Sequence, residues 1–164
     1  MPFEVNSKLN FENVKYYSWE GYYKKPDLNL EIGDVLLVKL ATQYSPFKSA
    51  VVYELPEPAI TNSSVHIFKK IKCNPSYLQL IISSSEFQQK MKAKQNNGVM
   101  NTIALTTIKN LTILLPPIKT QDKIVENLLE FREKNIVLND YLNQEIKLRT
   151  QNIDQTLDSI LWNK

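Results

Sequence analysis

The side chains with most chemical potential in this sequence are amides and ammonium groups. The stretch Gln88-Gln89-Lys90-Met91-Lys92-Ala93-Lys94-Gln95-Asn96-Asn97-Gly98 contains three lysines and no acid. Lysines neutralise phosphates and fix position on a duplex, while Asn and Gln pair bidentately with adenine edges for about 1–3 kcal/mol of discrimination. For each such lysine the alternative is an ordinary solvated charge. Other chemistries are poorly supplied. His66 is the only histidine and Cys73 the only cysteine, so there is no zinc-type ligand set and no intramolecular disulfide, and no pattern of a nucleophile with a histidine base is seen. His66 lies in the strand-like run Ser64 to Phe68 and reads as a structural histidine. Glu31 and Asp34 flank Gly33, and this pair reads as a turn feature rather than a metal site. No cofactor is expected, and no Gly-rich phosphate loop is present.

Charge distribution agrees with a polyanion partner. Residues 1–118 carry 13 Lys and no Arg against 9 Asp and Glu, a balance of +4, while residues 119–164 carry 7 basic and 8 acidic residues, a balance of −1. The basic excess therefore lies wholly in the first part. The N-terminus has no signal-peptide pattern, and no run approaches the roughly 18 apolar residues of a membrane span, so the expected location is the cytoplasm.

These groups need a scaffold. The opening, with Phe3, Phe11, Tyr16, Tyr17, Trp19, Tyr22 and Tyr23, predicts short strands and loops, and Tyr16, Tyr17 and Trp19 read as packing aromatics. Lys24-Lys25-Pro26-Asp27 predicts a turn, and Glu31-Ile32-Gly33-Asp34 a tight one. Val35-Leu36-Leu37-Val38 predicts a strand buried on both faces, with Ser49 to Tyr53 as its partner and Ser64 to Phe68 as a further strand. An amphipathic helix is predicted from Ser76 to about Lys94, capped by Asn74 or Ser76. A short helix at Thr106–Lys109 and a strand at Leu111–Leu115 lead to Pro116-Pro117. From Thr120 to Trp162 there is neither Gly nor Pro. Apolar residues recur there at helical spacing, predicting one long helix capped by Thr120 whose stripe is covered either by a bend back near Asn135–Asn139 or, the favoured reading, by a second chain. The fold class is α+β: a small mixed α/β domain followed by one long C-terminal helix.

The order of these features resembles one repeat of a type I restriction-modification specificity subunit. Leu114-Leu115-Pro116-Pro117-Ile118-Lys119-Thr120-Gln121-Asp122-Lys123-Ile124-Val125 is similar to the junction at which a strand ends in Leu-Pro-Pro, a Gln follows, and an Ile-Val pair opens a long helix. Gly33-Asp34-Val35-Leu36-Leu37-Val38, Ile60 to Val65, and Tyr77-Leu78 with Phe87 resemble the preceding landmarks in order. The chain departs in showing one repeat where a full subunit has two. It also lacks the family's opening segment with a first strand, and it has no glycine in Ala41 to Lys48.

The resemblance implies a target-recognition domain over residues 1–118 and a spacer and dimerisation helix over 119–164. It implies sequence-specific binding of double-stranded DNA without bond chemistry, and methyltransferase and restriction subunits as partners. Two loops fall on the DNA side, one with Lys39, Gln43, Tyr44 and Lys48, the other with Lys90, Lys92, Lys94, Gln95, Asn96 and Asn97, and Lys24 and Lys25 could add phosphate contacts. Leu128, Leu138, Leu142, Ile146, Ile153, Leu157 and Ile160 would line the helix pairing of a homodimer, or of a pair with another specificity subunit. Two readings compete: a fragment that binds partner proteins through its helix without reading DNA, and a small metal-dependent nuclease.

Overall fold

A computed structural model describes Lys15, residues 18–41, 46–94 and 102–162, with side chains as far as residue 155. The elements in chain order are α1 (Trp19–Lys24), a 3-10 turn (Pro26–Leu28), β1 (Val35–Val38), β2 (Ser49–Val51), β3 (Val65–Phe68), α2 (Pro75–Ser83), α3 (Ser85–Ala93), α4 (Leu105–Lys109) and α5 (Ile118–Trp162). The chain divides into two units, Met1–Lys123 and Ile124–Lys164. The architecture is α+β, as the sequence predicts.

The first unit is built around β1. Gly33 adopts φ +92°, a conformation that costs a Cβ-bearing residue strain. Asp34 closes this turn by accepting the Glu31 N–H at 2.9 Å, so the carboxylate serves the backbone. The sheet order is β2-β1-β3, all antiparallel, with Val35 opposite Val51 and Phe68, and Leu37 opposite Ser49 and His66. Alternation sends successive β1 side chains to opposite faces. Val35 and Leu37 join a cluster with Phe47, Val51, Leu78, Ile82, Phe87, Met91, Ile103 and Ile108, whereas Leu36 packs with Leu30 and Val52. Both faces are covered, which is why this strand reads as a continuous apolar run. Each fully buried Val or Leu here contributes about 1.5–3 kcal/mol.

Four local expectations are corrected. The helix predicted from Ser76 to Lys94 is two helices broken at Ser84, which is extended (φ −65°, ψ 147°) and whose hydroxyl accepts the Phe87 N–H. Serine favours caps over helix interiors, so Ser83-Ser84-Ser85 was the local signal for this break. Asn74 does cap α2, its Oδ1 accepting the Ser76 and Tyr77 N–H groups at 2.8 and 3.1 Å. Residues 111–117 form no strand; Leu111 and Ile113 pack on the core while their backbone pairs with no sheet neighbour. Trp19–Lys24 is a helix with Ser18 as its N-cap, where strands and loops are predicted; Trp19 packs against the Tyr22 and Tyr23 rings but is 63% exposed and outside the core. Finally, α5 starts at Ile118, so Thr120 lies inside the first turn. The Pro117 carbonyl accepts the Thr120 and Gln121 N–H groups at 2.8 and 3.2 Å.

Within the second unit, α5 is a continuous helix. Glu130–Lys134 and Glu145–Arg149 pairs lie at 3.8 and 3.6 Å on its surface, in the favourable acid-first i,i+4 order. Leu138, Leu142, Ile146 and Ile153 are exposed in the single chain. At 100° per residue these four fall within about 80° of arc, a single apolar stripe. No described helix is long and apolar enough to cross a membrane.

Candidate nucleic-acid interface

The C-terminal end of β1 is where the two predicted DNA loops have their roots. Lys39 donates its N–H to the Ser64 carbonyl at 2.9 Å and accepts the Ile103 N–H on its own carbonyl at 3.0 Å. Leu40 and Thr102 form an antiparallel bridge, and Val38 donates to the Lys48 carbonyl at 2.9 Å. The segments that enter and leave residues 42–45, and the segment that leaves residues 95–101, are thus hydrogen-bonded to one strand end. The opposite root of the second loop is the end of α3, which packs on the same core through Phe87 and Met91. Beside these roots, Asn62 Oδ1 accepts the Ser64 N–H at 2.9 Å and shapes the turn into β3.

His66 on β3 lies opposite Leu37, with Nε2 3.0 Å from the Ile103 carbonyl, so this ring nitrogen carries the proton. It is a satisfied structural histidine. Burial lowers its pKa below the ordinary 6.5, the Ile103 bond opposes that shift, and the nearby Lys39 ammonium adds to it. Cys73 is half-buried, and burial raises its thiol pKa.

The predicted contact residues differ in their present engagement. Lys39 is half-buried and its ammonium donates to the Ser63 carbonyl. Lys48, Lys92 and Lys94 are exposed. Lys90 pairs with Glu86 one turn back, and this bond lowers the Glu86 pKa. Such an exposed pair has little net strength and leaves Lys90 able to meet a phosphate. Lys24 pairs with Glu20 at the end of α1, and Lys25 is the C-cap of that helix. Neither belongs to the hydrogen bonds that gather the two loop roots. Gln43, Tyr44, Gln95, Asn96 and Asn97 lie outside the described residues, as do Tyr16 and Tyr17. Among the helix residues, Leu128 is half-buried, and the side chains of Leu157 and Ile160 lie beyond those described.

Sequence reasoning missed two buried glutamines that hold the return from the first loop, and the bonds of a third, Gln121, at the α5 junction. Gln88 of α3 accepts the Phe47 N–H at 2.8 Å and donates to the Phe47 and Ile82 carbonyls at 3.1 and 2.8 Å. Gln79 of α2 donates to the Ser49 carbonyl at 3.2 Å. Gln121 in the first turn of α5 accepts the Asn74 N–H at 2.8 Å and donates to the Pro116 carbonyl at 2.7 Å. Beside it, Asn74 Nδ2 donates to Asp122 at 2.7 Å. The available signal was position: Gln79 and Gln88 fall on the apolar faces of their helices, beside Leu78 and Phe87.

Among the described residues no group of three or more His, Cys, Asp and Glu side chains could hold a metal ion. The arrangement is a small, well-packed scaffold presenting lysines around loop roots. A family model for the type I restriction modification DNA specificity domain matches residues 6–148 of the 164. No curated protein gives a significant match to this chain. The match takes in both loops, the Pro116-Pro117 junction and most of α5, and the chain belongs to the family of type I restriction modification DNA specificity domains, whose task is recognition of a DNA target.

Proposed function

We propose that this chain acts as a single recognition repeat of a specificity subunit, reading one DNA half-site and directing methyltransferase and restriction subunits to a split target. The observation that carries this reading is the convergence of both predicted loops on one end of β1, inside the matched domain. Residues 1–118 act as the target-recognition domain and residues 119–164 as the spacer and pairing helix. Lys39, Lys48, Lys90, Lys92 and Lys94 neutralise phosphates around the loop roots, with Lys24 and Lys25 at the periphery. Gln43, Tyr44, Gln95, Asn96 and Asn97 meet base edges. The chain performs no bond chemistry itself; its partners do.

The exposed stripe Leu138, Leu142, Ile146 and Ile153, with Leu128, Leu157 and Ile160 in the same helix, pairs with a second copy. Two-fold pairing gives two recognition domains and selects a palindromic split site. The same stripe favours a second reading, a protein-binding fragment that does not read DNA. Fluorescence anisotropy on a randomised duplex library across a salt series separates the two. Phosphate contacts release counterions, so a DNA reader loses affinity linearly in log salt with a slope of about −0.9 per contact, several units in all. Binding that is absent at low salt, or flat across the series, sinks the DNA reading and leaves the protein-binding one.

A further inference from the structure

Phe47 to Ser49 is the stretch that brings the chain back from the first loop into β2, and Lys48 is its exposed residue. The backbone on either side of Lys48 is held by buried amides from two different helices. Gln88 is 5% exposed and grips both backbone polar groups of Phe47, one by accepting and one by donating, as a neighbouring strand would. Gln79, 1% exposed, holds the Ser49 carbonyl. The Phe47 side chain is itself buried in the main core. Gln88 spends its remaining donor on the Ile82 carbonyl near the end of α2, so a single side chain ties the loop root to the α2–α3 break.

A solvated lysine has no need of such anchoring, because its long stem finds a phosphate from many backbone positions. Anchoring matters when the phosphate contact must set register, since phosphate contacts fix how base-reading groups are aligned on the duplex. We infer that Gln88 is a positioning residue for DNA recognition: it fixes the backbone carrying Lys48 so that this phosphate contact sets the register of reading. Gln79 supports the same segment from the other side. This inference rests on the DNA reading above and goes beyond it in assigning specificity to a residue that cannot touch DNA.

The test compares three substitutions in the full chain, each selected against a randomised duplex library and then titrated with salt on the enriched and unenriched pools. Lys48→Ala removes the contact itself, so its salt slope falls by about 0.9 and preference for the enriched pool falls with it. Gln88→Met removes the grip but leaves the lysine, so the salt slope is kept while preference for the enriched pool falls about tenfold or more. Gln121→Met removes a similarly buried amide at the Pro116-Pro117 junction, and serves as the control for a merely structural loss: it lowers stability and leaves the preference unchanged. Gln88→Glu guards against a Gln88→Met chain that does not fold. A neutral buried carboxyl keeps one donor and one acceptor, so its preference exceeds that of Gln88→Met at mildly acidic pH and declines as the carboxyl ionises. A folded Gln88→Met chain with the wild-type preference, or a Gln88→Glu chain that keeps it once the carboxyl is ionised, overturns the positioning role alone. Equal loss of preference in Gln88→Met and Gln121→Met overturns it too, by showing a global effect. A wild-type chain that enriches no sequence overturns the DNA reading itself, and this role with it.

Discussion

Replacing Gln121 by methionine tests the junction that opens α5. The side chain is 3% exposed and makes two hydrogen bonds, to the Asn74 N–H at 2.8 Å and the Pro116 carbonyl at 2.7 Å. Methionine matches its length, so no sizeable cavity forms, and the cost comes from the two groups left behind. A buried backbone group stranded in this way costs about 1–3 kcal/mol. Asn74 and Pro116 are half-buried, so water recovers part of the loss, and the more apolar side chain returns some transfer free energy. The net expectation is a destabilisation of about 2 kcal/mol, at the lower end of the bare sum. For a unit of this size that lowers Tm by about 6–10 °C. Differential scanning calorimetry gives the value, and amide hydrogen exchange locates it: the Asn74 N–H should lose protection first. A Tm within about 2 °C of wild type, with Asn74 still protected, would refute the assignment of Gln121 as the lock between α5 and the cap of α2.

Four further outcomes follow from the same structure. Ile146→Asp on the exposed stripe leaves single-chain stability within about 0.5 kcal/mol, yet shifts light-scattering mass from near twice the 19.0 kDa chain to the monomer value; a wild-type monomer at all concentrations removes the pairing proposal. Gly33→Ala costs about 1–2 kcal/mol through backbone strain alone, because φ is +92° and a Cβ there meets nothing within 4 Å; urea unfolding measures it. His66 has a lowered pKa in the folded chain, so below 6.5 the unfolded state binds more protons. Its stabilising contribution is complete above that pH and declines as pH falls through 6.5 toward the folded value. The difference in urea midpoint between wild type and His66→Gln should therefore shift against wild type on acidification, and a pH-independent difference contradicts the assignment. Ser84→Ala removes the hydroxyl that accepts the Phe87 N–H and costs about 1 kcal/mol, read by thermal unfolding; a continuous helix through this position would instead gain stability from alanine.

Much of this protein was legible before any coordinates. The run Val35 to Val38 predicts burial on both faces because only a covered strand tolerates four consecutive apolar residues, and two separate clusters do cover it. Gly33 announces a turn since few other residues accept positive φ, and the absence of Gly and Pro after Pro117 leaves a long helix little reason to stop. Periodicity, turn chemistry and the order of landmarks are local properties, and they suffice for fold class and family. Two local misreadings, the break at Ser84 and the start of α5 at Ile118, come from boundary preferences worth only about 1 kcal/mol. The missing strand at Leu111–Leu115 is different: its apolar run is real, but burial of Leu111 and Ile113 on the core needs no sheet partner.

What no inspection of the sequence supplies is partnership between distant residues. Gln88 and Phe47 are 41 positions apart, and Gln121 and Asn74 are 47 apart. A glutamine on an apolar face looks like a mild defect in the pattern until folding brings a backbone N–H and carbonyl within reach of its amide. That Lys39 and Lys48 meet at one strand end was likewise settled by the antiparallel pairing of β1 with β2 and β3. The sequence determined the elements and their kinship. The meeting of the segments that flank two loops at one end of β1 was decided by tertiary structure, because hydrogen-bond geometry across long loops depends on packing and has no local signature.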